Sequence, residues 1–145
     1  MTKPGVARWY VDADTLGLAH VLIRARPDVT FPGDDGSRHK SRWALPPCII
    51  ARADTLDPDW IPRVAAKGWG IITRDKRISE KAREKDLVRA HGACMFAITD
   101  PRQLTVWQQL VVVVGRWSEM EAKLDKRPGP FIYSISRTTM TELQL

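Results

Sequence analysis

The sequence has few cysteines and lacks both long apolar runs and internal repeats, and these absences limit its class. Its two cysteines, Cys48 and Cys94, are far apart and have no CxxC or Cys/His spacing around them. This argues against a zinc site or a disulfide framework, so we expect both thiols to be buried small hydrophobes. Apolar runs such as Leu110 to Val114 are far shorter than the ~20 residues of a membrane span.

Length and composition are those of an ordinary globular protein. The chain has 145 residues, of which 43% are hydrophobic and 28% charged. We therefore predict a single domain over residues 1–145. The first residues, Met-Thr-Lys-Pro-Gly, lack the apolar core of a signal peptide, which predicts a cytoplasmic protein with no membrane partner.

The charge balance favours a polyanionic partner without establishing one. There are 23 Lys and Arg residues against 17 Asp and Glu, giving a formal net charge of +6. A basic surface attracts nucleic acid, although many basic proteins bind none.

Strand and helix signals alternate along the chain. The predicted order is strand 8–11, helix 15–26, strand 28–31, polar loop 32–42, helix from Asp57 or Asp59 to Lys67, strand 69–73, helix 79–91, strand 93–99, helix from Asp100-Pro101 to about Lys126, and strand 130–136. The start of the second helix stays open, because Asp57 with Pro58 is a good cap, yet a start at Asp59 places Pro62 in the first turn. The last helix carries an apolar stripe that includes Trp107 and Trp117. Such alternation predicts a three-layer α/β/α sandwich with a mainly parallel central sheet.

Acidic residues follow the predicted strands at positions where open α/β sheets form their sites. Asp12 and Asp14 come after the first strand, Asp75 after the strand 69–73, and Asp57 and Asp59 open the helix that leads into that strand. Clustered carboxylates repel one another, and Mg²⁺ or Mn²⁺ relieves that repulsion. Such an ion polarises a phosphoryl oxygen and activates water, as phosphodiester hydrolysis requires. The three histidines are not placed to act as a general base.

Some of these acids also have ordinary structural explanations. Asp14 precedes Thr15 and could be a helix cap, and Asp57 and Asp59 compete to cap one helix. Asp75 could be a turn residue. Asp12 is the hardest to explain without a function, because it ends an apolar strand where burial is expected.

Two segments resemble the PIN-like nuclease superfamily, and more closely its VapC-like toxins of type II toxin–antitoxin pairs. One is Val-Asp-Ala-Asp-Thr in the first strand, and the other runs from Asp57-Pro-Asp-Trp to Thr-Arg-Asp75. The resemblance implies that Asp12, Asp57 and Asp75 are catalytic and that Asp12, Asp14, Asp57, Asp59 and Asp75 hold Mg²⁺ or Mn²⁺. Asp57 fits the middle position better than Asp59, and the family's final acidic residue has no obvious match unless Asp100 supplies it.

The same resemblance implies the activity and the partners. We expect an Mg- or Mn-dependent endoribonuclease, a cognate antitoxin protein that covers the site, and a homodimer. Basic residues near Asp75, namely Arg74, Lys76 and Arg77, are expected to bind the RNA backbone, with Arg38, Lys40 and Arg42 of the polar loop beside them. Beyond Arg77, a solvated helix face explains the charges up to Lys85 equally well.

Three other functions fit parts of the sequence. Asp12-Ala-Asp-Thr-Leu resembles the opening motif of haloacid dehalogenase-type phosphatases, but their later Gly-Asp motif is absent from the second half of this chain. Receiver domains of response regulators have paired acids in a different order. The last alternative is a PIN-like domain without activity that binds only RNA or protein.

Overall fold

A six-stranded sheet forms the centre of the computed structural model, which describes residues 5–74 and 81–145. The strands are β1 (Trp9–Val11), β2 (Val29–Thr30), β3 (Gly70–Arg74), β4 (Cys94–Ile98), β5 (Phe131–Ile135) and β6 (Met140–Leu143). Their order in the sheet is β2-β1-β3-β4-β5-β6. All neighbouring pairs are parallel except β5 and β6. The strand order reverses direction at β1, beside β3.

Four helices cover both faces of this sheet. They are α1 (Leu16–Ala25), α2 (Asp57–Ala66), α3 (Ala82–His91) and α4 (Val106–Lys126). Helices α1 and α4 pack together, as do α2 and α3. Because successive side chains of a strand point to opposite faces, Trp9 and Val11 enter one core and Tyr10 the other. The predicted α/β sandwich with a mainly parallel sheet is confirmed.

Helix α4 begins later than the sequence predicts. Asp100-Pro101 does not start it; Asp100 instead accepts hydrogen bonds from the backbone and side chain of Arg102. The helix is capped by Thr105, whose hydroxyl accepts from the backbone of Gln108 while the Gln108 side chain accepts from the backbone of Thr105. This reciprocal capping box satisfies two amide groups, which a single Asp cap cannot do.

Only part of the apolar stripe of α4 is buried. Trp117 packs against Trp9 with ring centroids 4.8 Å apart, as the predicted core position requires. Trp107 was also predicted in the core, and this was wrong, because it is 71% exposed. Trp107 and the exposed Val114 are one heptad apart and lie about 120° around the helix from the buried Val113.

Two further sequence predictions have clear outcomes. Cys48 and Cys94 are both buried and free, as expected. Helix α2 starts at Asp57, with Leu56 as its cap and Pro62 inside the helix, so Asp57 is the first helical residue rather than the cap and the alternative start at Asp59 is not observed. The antiparallel β6 was not predicted, and the expected start of α3 at Ser79 lies outside the described residues.

Among the helices that are described, none has the length and apolar character needed to cross a membrane.

Candidate active site

Asp12 lies where the parallel strands β1 and β3 end side by side. Its backbone amide donates to the carbonyl of Ile72 at 2.9 Å, so the pairing of the two strands extends to this residue. One carboxylate oxygen accepts from the amide of Ala13 at 2.6 Å and caps the short 3-10 helix Ala13–Thr15. The alternative explanation of Asp14 as a helix cap is not observed, because Asp12 is the N-cap of the 3-10 helix and Thr15 is the N-cap of α1. The second oxygen of Asp12 faces β3.

The hydroxyl of Thr73 brings Asp12 and Asp14 together. Thr73 is buried near the end of β3, and its Oγ1 lies 3.1 Å from Oδ2 of Asp12 and 3.3 Å from Oδ2 of Asp14. The backbone amide of Arg74 also donates to Asp14, at 3.4 Å. Two carboxylates within reach of one hydroxyl repel each other, and a positively charged ligand would relieve that repulsion. The turn after β1 and the end of β3 thus form an acidic pair.

Asp57 comes to this site from the first turn of α2. Its carboxylate accepts a hydrogen bond of 2.9 Å from the indole Nε1 of the buried Trp60, one turn further along the helix. Trp60 in turn stacks on Tyr10 of β1, with 5.1 Å between ring centroids. Burial, followed by the negative charge of Asp12, raises the pKa of the Tyr10 hydroxyl well above its usual range. The stack fixes the direction of Trp60 and hence the position of the Asp57 carboxylate.

These residues line a cavity of about 290 Å³, which we call the acidic cavity. It is lined by Asp12, Ala13, Asp14, Ala53, Asp54, Thr55, Asp57, Trp60, Thr73, Lys81 and Glu84. Three of the predicted metal ligands, Asp12, Asp14 and Asp57, therefore line the same cavity. Asp59, which follows Pro58, is exposed. Among the described residues, it does not line the acidic cavity.

Glu84 was missed by the sequence analysis. It lies in the first turn of α3, it is only 8% exposed, and it lines the acidic cavity together with Lys81. The segment looked like a solvated helix face because charged residues surround it on both sides. Its position in the sequence could have identified Glu84. It lies in the first turn of the helix that follows β3, and such a turn lies near the carboxyl end of the sheet, where sites form.

The remaining predicted site residues have mixed positions. Asp75, Lys76 and Arg77 lie outside the described residues, although Asp75 directly follows β3. Arg74 donates from Nη2 to the backbone carbonyl of Arg102 at 2.6 Å. Arg38 was expected beside the site as a phosphate contact, but its guanidinium is buried in an ion pair with Asp34.

One comparison with known proteins gives a match. A family model described as a PIN like domain matches residues 38–100, a segment that includes Asp57, Asp59 and Asp75. The match supports a PIN-like domain. Searches of curated proteins and of solved structures give no match. PIN-like domains are generally nucleases, and the mainly parallel sandwich agrees with that fold.

The donor atoms of the acidic cavity fit a hard divalent cation. The carboxylates of Asp12, Asp14 and Asp57 supply only oxygen, which Mg²⁺ and Mn²⁺ prefer over nitrogen or sulfur. Within residues 5–74 and 81–145, no three His, Cys, Asp or Glu side chains are close enough together to hold a metal ion. The described residues therefore provide an acidic pair with Asp57 nearby, and Asp75 follows the strand that supplies Thr73.

Proposed function

We propose that this chain is a metal-dependent endoribonuclease that hydrolyses RNA phosphodiesters at the acidic cavity. The observation that carries the proposal is the Thr73 hydroxyl, which lies within 3.3 Å of both the Asp12 and the Asp14 carboxylate at the ends of β1 and β3. An acidic pair at the reversal point of a parallel sheet has a clear use as a cation site. The PIN-like match supports the same activity.

Each residue has a distinct part in the proposed reaction. Asp12 and Asp14, with Asp57 and Asp75, would hold Mg²⁺ or Mn²⁺, with Asp59 as the substitute for Asp57. When bound, the ion supplies positive charge against the phosphate and lowers the pKa of water. Thr73 keeps Asp12 and Asp14 in position, and Trp60 orients Asp57. Arg74, Lys76 and Arg77, which surround Asp75 in the sequence, are proposed to contact the RNA backbone.

We further propose that the chain is a VapC-like toxin, for which the resemblance in the Val-Asp-Ala-Asp and Thr-Arg-Asp segments is the support. The proposal includes a cytoplasmic location, a cognate antitoxin protein that covers the acidic cavity, and a homodimer. A small reading frame directly upstream of the gene, whose product binds this chain and stops cleavage, is the expected observation. A gene with no such neighbour would contradict the toxin assignment and leave the nuclease intact.

The activity itself is tested by removing and restoring the metal. We expect the purified chain to cut a generic single-stranded RNA with Mg²⁺ or Mn²⁺, to stop when EDTA is added, and to recover when the ion is returned in excess. Gel electrophoresis of a labelled RNA measures the rate. Lack of cleavage with any divalent ion would favour a binding module for RNA or protein. Hydrolysis of p-nitrophenyl phosphate at a comparable rate would favour the phosphatase.

Thr73 offers a second test that does not remove any metal ligand. In Thr73→Val the carboxylates of Asp12 and Asp14 lose the hydroxyl between them, while the buried volume stays nearly the same. We expect the metal concentration for half-maximal cleavage to rise about 10- to 100-fold, the usual cost of losing a group that orients metal ligands. Thr73→Ser keeps the hydroxyl and is expected to behave like the wild type. Equal behaviour of both variants would contradict this role of Thr73.

A further inference from the structure

A second cavity, of about 450 Å³, lies between α1 and the loop after β2. His20, Ile23 and Arg24 line it from α1, and the loop contributes residues 37–40 and Trp43. Its volume is in the range of ligand pockets, roughly 300 to 1,000 Å³. Among the described residues, it shares no lining side chain with the acidic cavity. We call it the basic cavity.

The charge of this cavity is of one sign. The basic residue types in its lining are His20, Arg24, Arg38, His39 and Lys40, and none of the described residues that line it is acidic. Arg38 is neutralised by Asp34, so the positive charge that faces solvent comes from Arg24 and Lys40, both exposed. Arg42 adds a third cation beside Trp43. A concave surface with this charge raises the local concentration of anions.

The loop wall is held in place by buried contacts beneath it. Asp34 pairs with Arg38 at 2.7 Å, and both side chains are only 2% exposed. Asp34 also accepts from the amide of Gly36 and from the hydroxyl of Thr30, each at 2.8 Å. Gly36 has a positive φ of 88°, and a Cβ there would lie 1.8 Å from the carbonyl oxygen of Leu45. The cavity is therefore formed before any ligand arrives, which reduces the cost of ordering on binding.

Trp43 gives the basic cavity an aromatic surface next to its cations. The indole is half-buried, with Nζ of Lys40 5.4 Å from its ring centroid and Cζ of Arg42 5.8 Å away. Proteins that hold single-stranded nucleic acid combine cations for the backbone with aromatic side chains on which bases stack. A nucleotide, with a phosphate joined to an aromatic base, uses both kinds of contact.

We propose that the basic cavity binds a nucleotide of single-stranded RNA that lies away from the cleaved bond. The inference rests on the proposed function, because it names a second contact for the same substrate strand. Helix α1 begins beside the acidic cavity and rises ~1.5 Å per residue, so Arg24 lies roughly 12 Å along it from Leu16, which follows Asp14 by two residues. One RNA strand can span that distance, with its cleaved phosphate at the acidic cavity and a neighbouring nucleotide against Trp43.

The test measures RNA binding without cleavage. A 5′-labelled single-stranded RNA decamer is titrated with the full chain in EDTA, and fluorescence anisotropy gives the Kd. We expect the double variant Arg24→Ala, Lys40→Ala to raise the Kd about tenfold at low salt and to make the salt dependence shallower by roughly 1.4 logarithmic units per decade, for two phosphate contacts. Trp43→Ala is expected to raise the Kd about fivefold or more, and Trp43→Phe to restore most of the affinity.

Matched controls show whether the effect belongs to the cavity. Arg89 lies in the last turn of α3, as Arg24 lies in the last turn of α1, and Lys126 is an exposed lysine at the end of α4. Arg89→Ala and Lys126→Ala are expected to leave the Kd within twofold of the wild type. A Kd unchanged in the double variant, or raised equally in the controls, would overturn the inference. Thermal unfolding of each variant checks that it is folded.

Two further measurements separate the sources of the ligand and the two proposals. AMP is expected to compete with the decamer only weakly, and competition by AMP at the affinity of the RNA would instead indicate a free nucleotide site. A dinucleotide cannot reach both cavities, so the double variant should cleave it at the wild-type rate. If the wild type cleaves no RNA but the variants still bind RNA more weakly, the proposed function fails and the basic cavity stands.

Discussion

Replacement of Asp12 by Asn is expected to lower metal-dependent RNA cleavage by about a hundredfold to a thousandfold. Asn has the same shape, and its side-chain oxygen can still accept from the amide of Ala13, so the short 3-10 helix and the end of β1 are preserved. What is lost is the negative charge that, beside Asp14, attracts the cation. Several kcal/mol of electrostatic stabilisation correspond to two or three powers of ten in rate.

Asp75→Asn is expected to have a similar effect, and the first turn of α2 provides the control. Asp57 lines the acidic cavity, whereas Asp59, two residues later, is exposed outside the described lining. We therefore expect Asp57→Asn to reduce the rate at least tenfold and Asp59→Asn to leave it nearly unchanged. Initial rates at several Mn²⁺ concentrations distinguish weaker metal binding from slower cleavage. Cleavage that survives both Asp12→Asn and Asp75→Asn would contradict the assignment of the site.

The largest effect on stability is expected from Arg38→Ala. The Arg38 guanidinium makes two hydrogen bonds to Asp34, of 2.9 and 2.7 Å, and a third to the carbonyl of Val29. Its loss leaves a buried carboxylate without its cation, which costs about 3–5 kcal/mol. Chemical denaturation should show this loss, and thermal unfolding should show a Tm lower by roughly 10 °C. A loss below about 1 kcal/mol would mean that the pair behaves like a surface ion pair.

An exposed arginine–aspartate pair that also has two hydrogen bonds is the control. Arg52 and Asp54 also form two hydrogen bonds, but their side chains are 78% and 69% exposed. Arg52→Ala is therefore expected to leave the unfolding transition unchanged. The comparison tests the effect of burial, because each arginine makes two hydrogen bonds to its aspartate. The Arg38→Ala variant also tests the loop wall of the basic cavity. If this wall holds the cavity in shape, the variant should bind RNA more weakly as well as unfold more easily.

The destabilisation by Arg38→Ala should depend on pH. Burial opposes ionisation of Asp34, but hydrogen bonds from Arg38, Gly36 and Thr30 outweigh it and lower the pKa of this carboxyl. A lowered folded-state pKa stabilises the fold above the unfolded pKa of about 3.9, and this stability is lost as pH falls through the folded value. The deficit of the variant should thus be largest near neutral pH and shrink toward pH 3. A deficit that is constant with pH would contradict the electrostatic explanation.

The sheet and the acidic pair could be predicted from local patterns. Apolar strands that alternate with helices specify parallel pairing, and parallel pairing places the residues after β1 and β3 at one edge. The position of Asp12 at this edge could therefore be predicted solely from the fact that it follows Val11, the last residue of β1. The contact of Asp12 with Thr73 follows from the same rule, because Asp12 follows β1 and Thr73 lies near the end of the adjacent parallel strand β3.

Other features depend on competition between signals that the sequence does not rank. Asp100-Pro101 and Thr105 are both good starts for α4, and the reciprocal capping box decides in favour of Thr105. Glu84 looked solvated because its burial depends on how α3 packs against the site. Arg38 looked like a phosphate contact because its partner, Asp34, belongs to a loop without any periodic pattern.

The sheet ends in two strands that are poor templates for pairing with another chain. Strand β2 has two residues, and β6 has four, with Thr141 and Glu142 exposed at its centre. Glu142 is also held by Arg127, through hydrogen bonds of 3.0 and 2.9 Å. Short strands and charged side chains at an edge oppose edge-to-edge aggregation. The short antiparallel β6 thus protects the parallel strands behind it from forming intermolecular sheets, even at the high concentrations that a binding titration requires.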